Sequence, residues 1–134
     1  MPGPEHHILV VEDDPILRNA LCRFLLEEGF AVSCTENGQI GLELLRAGSR
    51  PCLVLLDLQM PFLDGLGFRR QQLADPELAG IPAVVMTGQA DRESDARKLR
   101  ISLHMRKPVA PARVVEVIEQ YCAHALPPRS IRAV

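Results

Sequence analysis

The apolar positions of this chain change their period repeatedly, and the changes alternate. Ile8-Leu9-Val10-Val11 is a short unbroken apolar run, the pattern of a strand covered on both faces. Asp14-Pro15 follows, a helix cap with proline at the first helical position. Ile16, Leu17, Ala20, Leu21, Phe24 and Leu25 then recur at helical spacing until Gly29 ends the helix. A second unit repeats the theme, with a strand over 30–35, Asn37 as cap, and a helix carrying Ile40, Leu44 and Leu45 to Gly48. The third strand, 52–56, is wholly apolar and ends at Asp57. After a loop bearing proline and glycine, a helix is predicted from about 66 to 74, then a fourth strand over 81–86. The stretch 92–100 reads as a fourth helix, mostly charged and weakly amphipathic, before a short fifth strand over 103–106. The fifth helix begins near Pro111 and buries Val114, Val115, Ile118 and Cys122. Beyond it the period is lost and Pro127-Pro128 appears, as in a frayed tail or the start of a linker.

Five strand–helix units in strict alternation predict an α/β fold: a five-stranded parallel sheet with helices on both faces. One domain over 6–123 is expected, with 1–5 and 124–134 as flexible termini or the start of a linker. In such sheets ligand chemistry gathers at the carboxyl ends of the strands, so unusual polar residues should stand there. The first strand ends in Glu12-Asp13-Asp14, the third in Asp57, the fourth in Thr87-Gly88 and the fifth in Lys107-Pro108.

Composition narrows the setting. The 134 residues are 47% apolar, enough to bury a core without disulfide or metal staples. A formal charge of −2, with both signs spread along the chain, gives no electrostatic case for nucleic acid or an acidic membrane. The longest apolar runs are only a few residues, too short to span a bilayer. The N-terminus lacks the basic start and apolar stretch of a signal peptide, so a cytoplasmic protein is expected. Cys22, Cys34, Cys52 and Cys122 form no Cys-x-x-Cys pair and read as small buried hydrophobes kept reduced. His6 and His7 are adjacent near the terminus and offer at most adventitious metal binding.

The strand ends carry the chemistry. At least three carboxylates would converge on one edge of the sheet, and like charges so close need a cation or raised pKa values. Hard oxygen donors without His or Cys favour magnesium over zinc. Lys107 adds a mobile ammonium and Thr87 a hydroxyl donor. A carboxylate nucleophile, a divalent ion, an ammonium and a hydroxyl together describe a phosphoryl-transfer site. Each residue also has a plainer reading. Asp14 suffices as a helix cap, and capping needs only one of the three acids. Thr87-Gly88 also fits simple turn chemistry. Asp57 precedes Leu58, which is no helix start, so capping explains it poorly. Lys107 is one of two lysines against thirteen arginines, where a structural ion pair could have used arginine.

Val10-Val11-Glu12-Asp13-Asp14, Leu55-Leu56-Asp57-Leu58-Gln59-Met60-Pro61 with Asp64-Gly65, Val85-Met86-Thr87-Gly88 and Arg106-Lys107-Pro108 resemble the motifs of response regulator receiver domains. They occur in family order and near family spacing over roughly 6–123. The resemblance implies a flavodoxin-like (βα)5 fold and a two-component signalling module, not an enzyme acting on an external substrate. It implies that Asp57 accepts a phosphoryl group from a histidine kinase or histidine phosphotransfer protein. Magnesium would be held by Asp13, Asp57 and the backbone carbonyl of Gln59, with Glu12 acting through water. Lys107 would pair with Asp57 and then with the phosphoryl oxygens, while Thr87 moves to hydrogen-bond them. Gln59 and Gln89 would tune the lifetime of the acyl phosphate. Output would pass through the face of the fourth helix, fifth strand and fifth helix to a downstream protein, the same face through which receivers pair as homodimers. The sequence departs from the family where His104 replaces the usual switch aromatic and Arg100-Ile101 replaces Gly-Ala. His104 is taken as the switch residue together with Thr87.

Other classes fit less well. A dinucleotide-binding oxidoreductase needs a glycine-rich turn after the first strand, where Glu-Asp-Asp would repel a pyrophosphate. An aspartyl-phosphate phosphatase wants a second carboxylate where Gln59 stands. A degenerate receiver is disfavoured because every required acidic, Thr and Lys position is filled. Within the leading reading, a stand-alone receiver is favoured, and the alternative is an N-terminal receiver fragment of a larger regulator with an effector beyond Val134.

Overall fold

The computed structural model describes residues 7–58, 64–87 and 99–122. In chain order the elements are β1 (His7–Val11), α1 (Pro15–Glu27), β2 (Ala31–Thr35), α2 (Gly38–Arg46), β3 (Leu53–Asp57), α3 (Gly65–Leu73), β4 (Ala83–Thr87), β5 (Leu103–Arg106) and α4 (Pro111–Tyr121). The helix expected over 92–100 falls almost entirely outside the described residues. Its last two, Leu99 and Arg100, form a turn.

All four strand pairings are parallel, and the order across the sheet is β2-β1-β3-β4-β5, the flavodoxin-like arrangement. The unbroken apolar runs are explained by alternation between two buried faces. Ile8, Val10, Leu53, Leu55, Val84 and Met86 join α1 and α4 in one core. Leu9, Val11, Val54, Leu56 and Val85 point the other way, into a core with α2 and α3. The central strands β1, β3 and β4 therefore lack a solvent face, and their apolar runs carry no alternation with polar residues.

The expected caps are present. Asp14 Oδ1 accepts from the backbone N–H of Ile16 at 3.0 Å and of Leu17 at 3.3 Å, and Asn37 Oδ1 accepts from Ile40 N–H at 2.9 Å. Gly29 and Gly48 end α1 and α2 at φ +98° and +115°, where a side chain would be strained.

Two readings of the sequence need correction. The apolar spacing of α1 does not mark a buried stripe along its whole length. Ile16 is 82% and Leu17 40% exposed, and of that helix only Cys22 and Leu25 are buried. Helical period is blind to which turns the sheet covers, and the first turn of α1, Pro15 to Leu17, is exposed. The cysteines are also not isolated thiols. They are joined as Cys22–Cys34 and Cys52–Cys122, and Cys34 is exposed on the edge strand. Cys52 and Cys122 are 70 residues apart in the chain, so only the fold brings them together.

Candidate functional site

The chain leaves β1 for β2 on one side and later returns to β3 on the other, which opens a crevice at the carboxyl ends of β1 and β3. The register sets the level of the groups there. Val11 is opposite Leu56, Asp57 opposite Met86 and Thr87 opposite Arg106, so the residues after β1, β3 and β5 share one rim.

Glu12 is fully buried at this rim, with its backbone N–H bonded to the Thr35 carbonyl at 3.0 Å. Its Oε2 accepts the Asp14 N–H at 3.2 Å. Asp57 is only 4% exposed and Asp13 is half-buried. One carboxylate oxygen from each of Glu12, Asp13 and Asp57 lies within 4.8 Å of the other two. Lys107 Nζ lies 2.9 Å from Glu12 Oε1 and 3.4 Å from Asp57 Oδ2. Partial burial works to lower the Lys107 pKa, but the two carboxylates outweigh it and hold the ammonium above its usual value. Lys107 thus bridges the buried Glu12 and Asp57 carboxylates, with the Asp13 carboxylate beside them. The remaining negative charge and the hard oxygen donors suit a divalent cation of the magnesium type.

Two further residues shape this rim: Arg18, which the sequence reading did not single out, and Gly65 of the Asp64-Gly65 motif. Arg18 Nη1 donates to the carbonyl oxygens of Glu12 at 2.9 Å and Asp13 at 3.3 Å, fixing the backbone that carries both acids. Its place in the second turn of a helix opened by Asp14 is the signal that could have found it. Gly65 starts α3 against β3, with its N–H bonded to the Leu58 carbonyl at 3.1 Å. A Cβ there would collide with the Asp57 carbonyl oxygen and approach Leu58 Cα to 2.8 Å. Asp64 caps the same helix through a 2.8 Å bond from Gly67 N–H.

Of the remaining expected site residues, Thr87 ends β4, but its side chain lies outside the described atoms, and Gln59 and Gln89 lie outside the described residues. His104 sits on β5 level with Val85, half-buried, and its Nε2 has no hydrogen-bond partner among the described residues. That level is two residues before Thr87 and Arg106, so His104 is not brought to the acidic rim. His7, at the opposite end of β1, is bonded through Nε2 to Ser33 Oγ at 2.7 Å, and burial lowers its pKa. An apolar groove of about 370 Å³ opens beside Lys107, lined by Leu17, Leu21, Phe24, Pro108, Val109 and Val114 among others. Among the described residues no helix is long and apolar enough to cross a membrane.

This geometry has relatives. The family model of the response regulator receiver domain matches residues 8–119. The chain is 36% identical over 124 residues to an uncharacterized 14.6 kDa protein of Leptolyngbya boryana, covering 90% of this chain and 92% of that one. It is 39% identical over 85 residues to the transcriptional regulatory protein CseB of Streptomyces avermitilis, covering 63% of this chain. There it spans only 34% of the longer regulator. The signal receiver domain of a signal transduction histidine kinase from Syntrophus aciditrophicus superimposes with a TM-score of 0.80 at 25% identity, covering 89% of this chain and 91% of that domain. The chain belongs to the response regulator receiver domain family of two-component systems.

Proposed function

We propose that Asp57 is the phosphoacceptor of this receiver and that Lys107, Thr87, Glu12 and Asp13 serve it. The observation that carries the reading is the cluster of Glu12, Asp13 and Asp57, with Lys107 bridging Glu12 and Asp57. An Asp57 carboxylate oxygen attacks the phosphorus of a phosphohistidine on a kinase or phosphotransfer partner. The P–N bond breaks, the imidazole leaves with the electron pair, and an acyl phosphate remains on Asp57. Lys107 is already within 3.4 Å of Asp57 Oδ2 and can follow the new phosphoryl oxygens. The Thr87 hydroxyl is assigned to those oxygens as well. Glu12, Asp13, Asp57 and the Gln59 carbonyl would hold Mg2+, which supplies charge neutralisation on the transferring group. Gln59 and Gln89 are assigned to tuning the acyl-phosphate lifetime. The domain is taken as 6–123, acting in the cytoplasm. It signals by being modified and releasing phosphate, with no external substrate turned over.

The apolar groove supports docking of the phosphohistidine partner on the α1 and α4 side, because Lys107, which lines it, lies 3.4 Å from the Asp57 carboxylate. Output is assigned to the face made by the segment 92–100, β5 and α4, with His104 as the switch residue that answers Thr87 and homodimer pairing on the same face. Among the described residues the buried Nε2 of His104 has no partner, and another arrangement of this face could satisfy that hydrogen bond. Incubation with Mg2+ and acetyl phosphate, followed by intact mass, tests the acceptor. One phosphoryl group is expected on the wild type and none on Asp57→Asn. Uptake that survives that substitution overturns the assignment. His104→Ala with unchanged partner affinity in both phosphorylation states would remove His104 from the switch.

A further inference from the structure

All four cysteines lie on one side of the sheet, each pair tying a helix to a strand. Cys22 of α1 is joined to Cys34 of β2 with their Cα atoms 6.6 Å apart. Cys52, just before β3, is joined to Cys122, just after α4, at 5.6 Å. Both separations lie within the range of roughly 4.4–6.8 Å open to a disulfide. The members of each pair differ in access. Cys22 is 9% and Cys122 2% exposed, whereas Cys34 stands open on the edge strand and Cys52 is half-exposed. The α2 and α3 side carries no cysteine.

We propose that the two pairs are thiol–disulfide exchange sites that take a low-molecular-weight disulfide of the glutathione class as oxidant. The thiolate of Cys34 or Cys52 attacks one sulfur of that disulfide. Its S–S bond breaks, a mixed disulfide forms, and one small thiolate leaves and takes up a proton. The buried partner, Cys22 or Cys122, then loses its proton and attacks the protein sulfur of the mixed disulfide, expelling the second small thiol. Each link oxidises two protein thiols and reduces one small disulfide to two thiols. The order follows from access, since an incoming disulfide meets Cys34 and Cys52 before their buried partners. In the oxidised protein α1 and α4, the two helices that begin beside Asp13 and Lys107, are covalently held to the sheet. Exchange at these sites therefore reaches the flanks of the acidic rim without touching its residues, and it does not depend on phosphorylation.

The test starts from fully reduced protein equilibrated with glutathione disulfide, acid-quenched, alkylated in denaturant and mapped by peptide mass. The expected map shows Cys22–Cys34 and Cys52–Cys122 links and no alkylated thiol. Cys122→Ser and Cys22→Ser should trap glutathione on Cys52 and Cys34. Cys52→Ser and Cys34→Ser should leave Cys122 and Cys22 as free thiols while the fold persists by circular dichroism. Wild-type protein that stays fully alkylated, or links in any other pairing, overturns the proposal. So does glutathione uptake at Cys122 as fast as at Cys52. The wild-type map decides the matter even if a variant fails to fold.

Discussion

Arg69 donates from Nη2 to the carbonyl oxygen of Arg100 at 3.0 Å, across 31 residues of chain. The same guanidinium, only 3% exposed, donates from Nε to Leu99 O at 2.9 Å. Its Nη1 reaches Gln72 Oε1 at 2.8 Å and Ile81 O at 2.9 Å. None of these acceptors is a carboxylate. Burial, with the charge of Arg100 adding to it, lowers the Arg69 pKa to about 10. Arg100 itself has φ +53°, in the left-handed region, at the place where the family has glycine. A buried cation thus holds the chain entering β5 to α3 and to the start of β4.

Arg69→Met keeps much of the volume but leaves buried carbonyls without a donor, and urea unfolding should show a loss of about 2–4 kcal/mol. Arg100→Gly removes a left-handed cost of about 1–2 kcal/mol, while added freedom in the unfolded chain returns about 0.5–1 kcal/mol. A net gain of no more than about 1.5 kcal/mol is expected from that substitution. A loss of stability on Arg100→Gly would mean the left-handed turn is held by the Arg100 side chain and not tolerated despite it.

Lys107→Met removes the cation beside a fully buried Glu12 and a nearly buried Asp57. The loss should be about 1–3 kcal/mol, below that of a fully buried pair because Lys107 keeps some contact with water. The pH dependence has a definite sign. The folded-state pKa of Lys107 is raised, so its stabilisation is fully present below the unfolded value of about 10.5 and is lost as pH climbs through the folded value. Urea midpoints from neutral pH upward should therefore converge for wild type and Lys107→Met only in the alkaline range. Convergence near neutrality would contradict the pairing.

Divalent metal should stabilise the fold through the acidic rim. At about a hundredfold excess of Mg2+ over its dissociation constant the gain is about 2.7 kcal/mol, read as a rise in thermal midpoint that chelation by EDTA reverses. Asp57→Asn should blunt that rise. In metal-free buffer the same substitution should raise the midpoint, because it removes one of three carboxylates held within 4.8 Å. A variant less stable than wild type in EDTA would show that repulsion is not what the metal relieves.

Gly65→Ala should act on the acceptor strand directly. The added methyl meets the Asp57 carbonyl and Leu58 Cα, both backbone atoms that cannot rotate away. A cost of about 1–3 kcal/mol in urea unfolding is expected. Acetyl-phosphate uptake should also slow as β3 or α3 shifts. Unchanged uptake with reduced stability would show that α3 alone moves.

Much of the acidic rim is legible in the chain because it depends on strand ends, and strand ends are read from where apolar runs stop. Glu12, Asp13 and Asp57 each follow a short hydrophobic segment, Lys107 follows the mixed strand 103–106, and parallel order brings them to one edge. Arg69 and Gln72 are not legible in that way. Both sit in a polar-looking stretch of α3 that reads as a solvent face, yet Gln72 is fully buried and bonded to the Leu78 and Ile81 carbonyls. Their burial is decided by loop carbonyls of the α3–β4 connection and, for Arg69, also by those of Leu99 and Arg100.

The sequence by itself determined the alternation of strand and helix, the Asp14 and Asn37 caps, and the carboxylates and lysine at the strand ends. These follow from local period and from single residues whose chemistry does not depend on distant neighbours. Only the tertiary structure decided that Cys52 lies beside Cys122, that Ile16 faces water, and that Lys107 bridges Glu12 and Asp57. Those facts belong to strand order and register, which bring together residues that no local pattern connects.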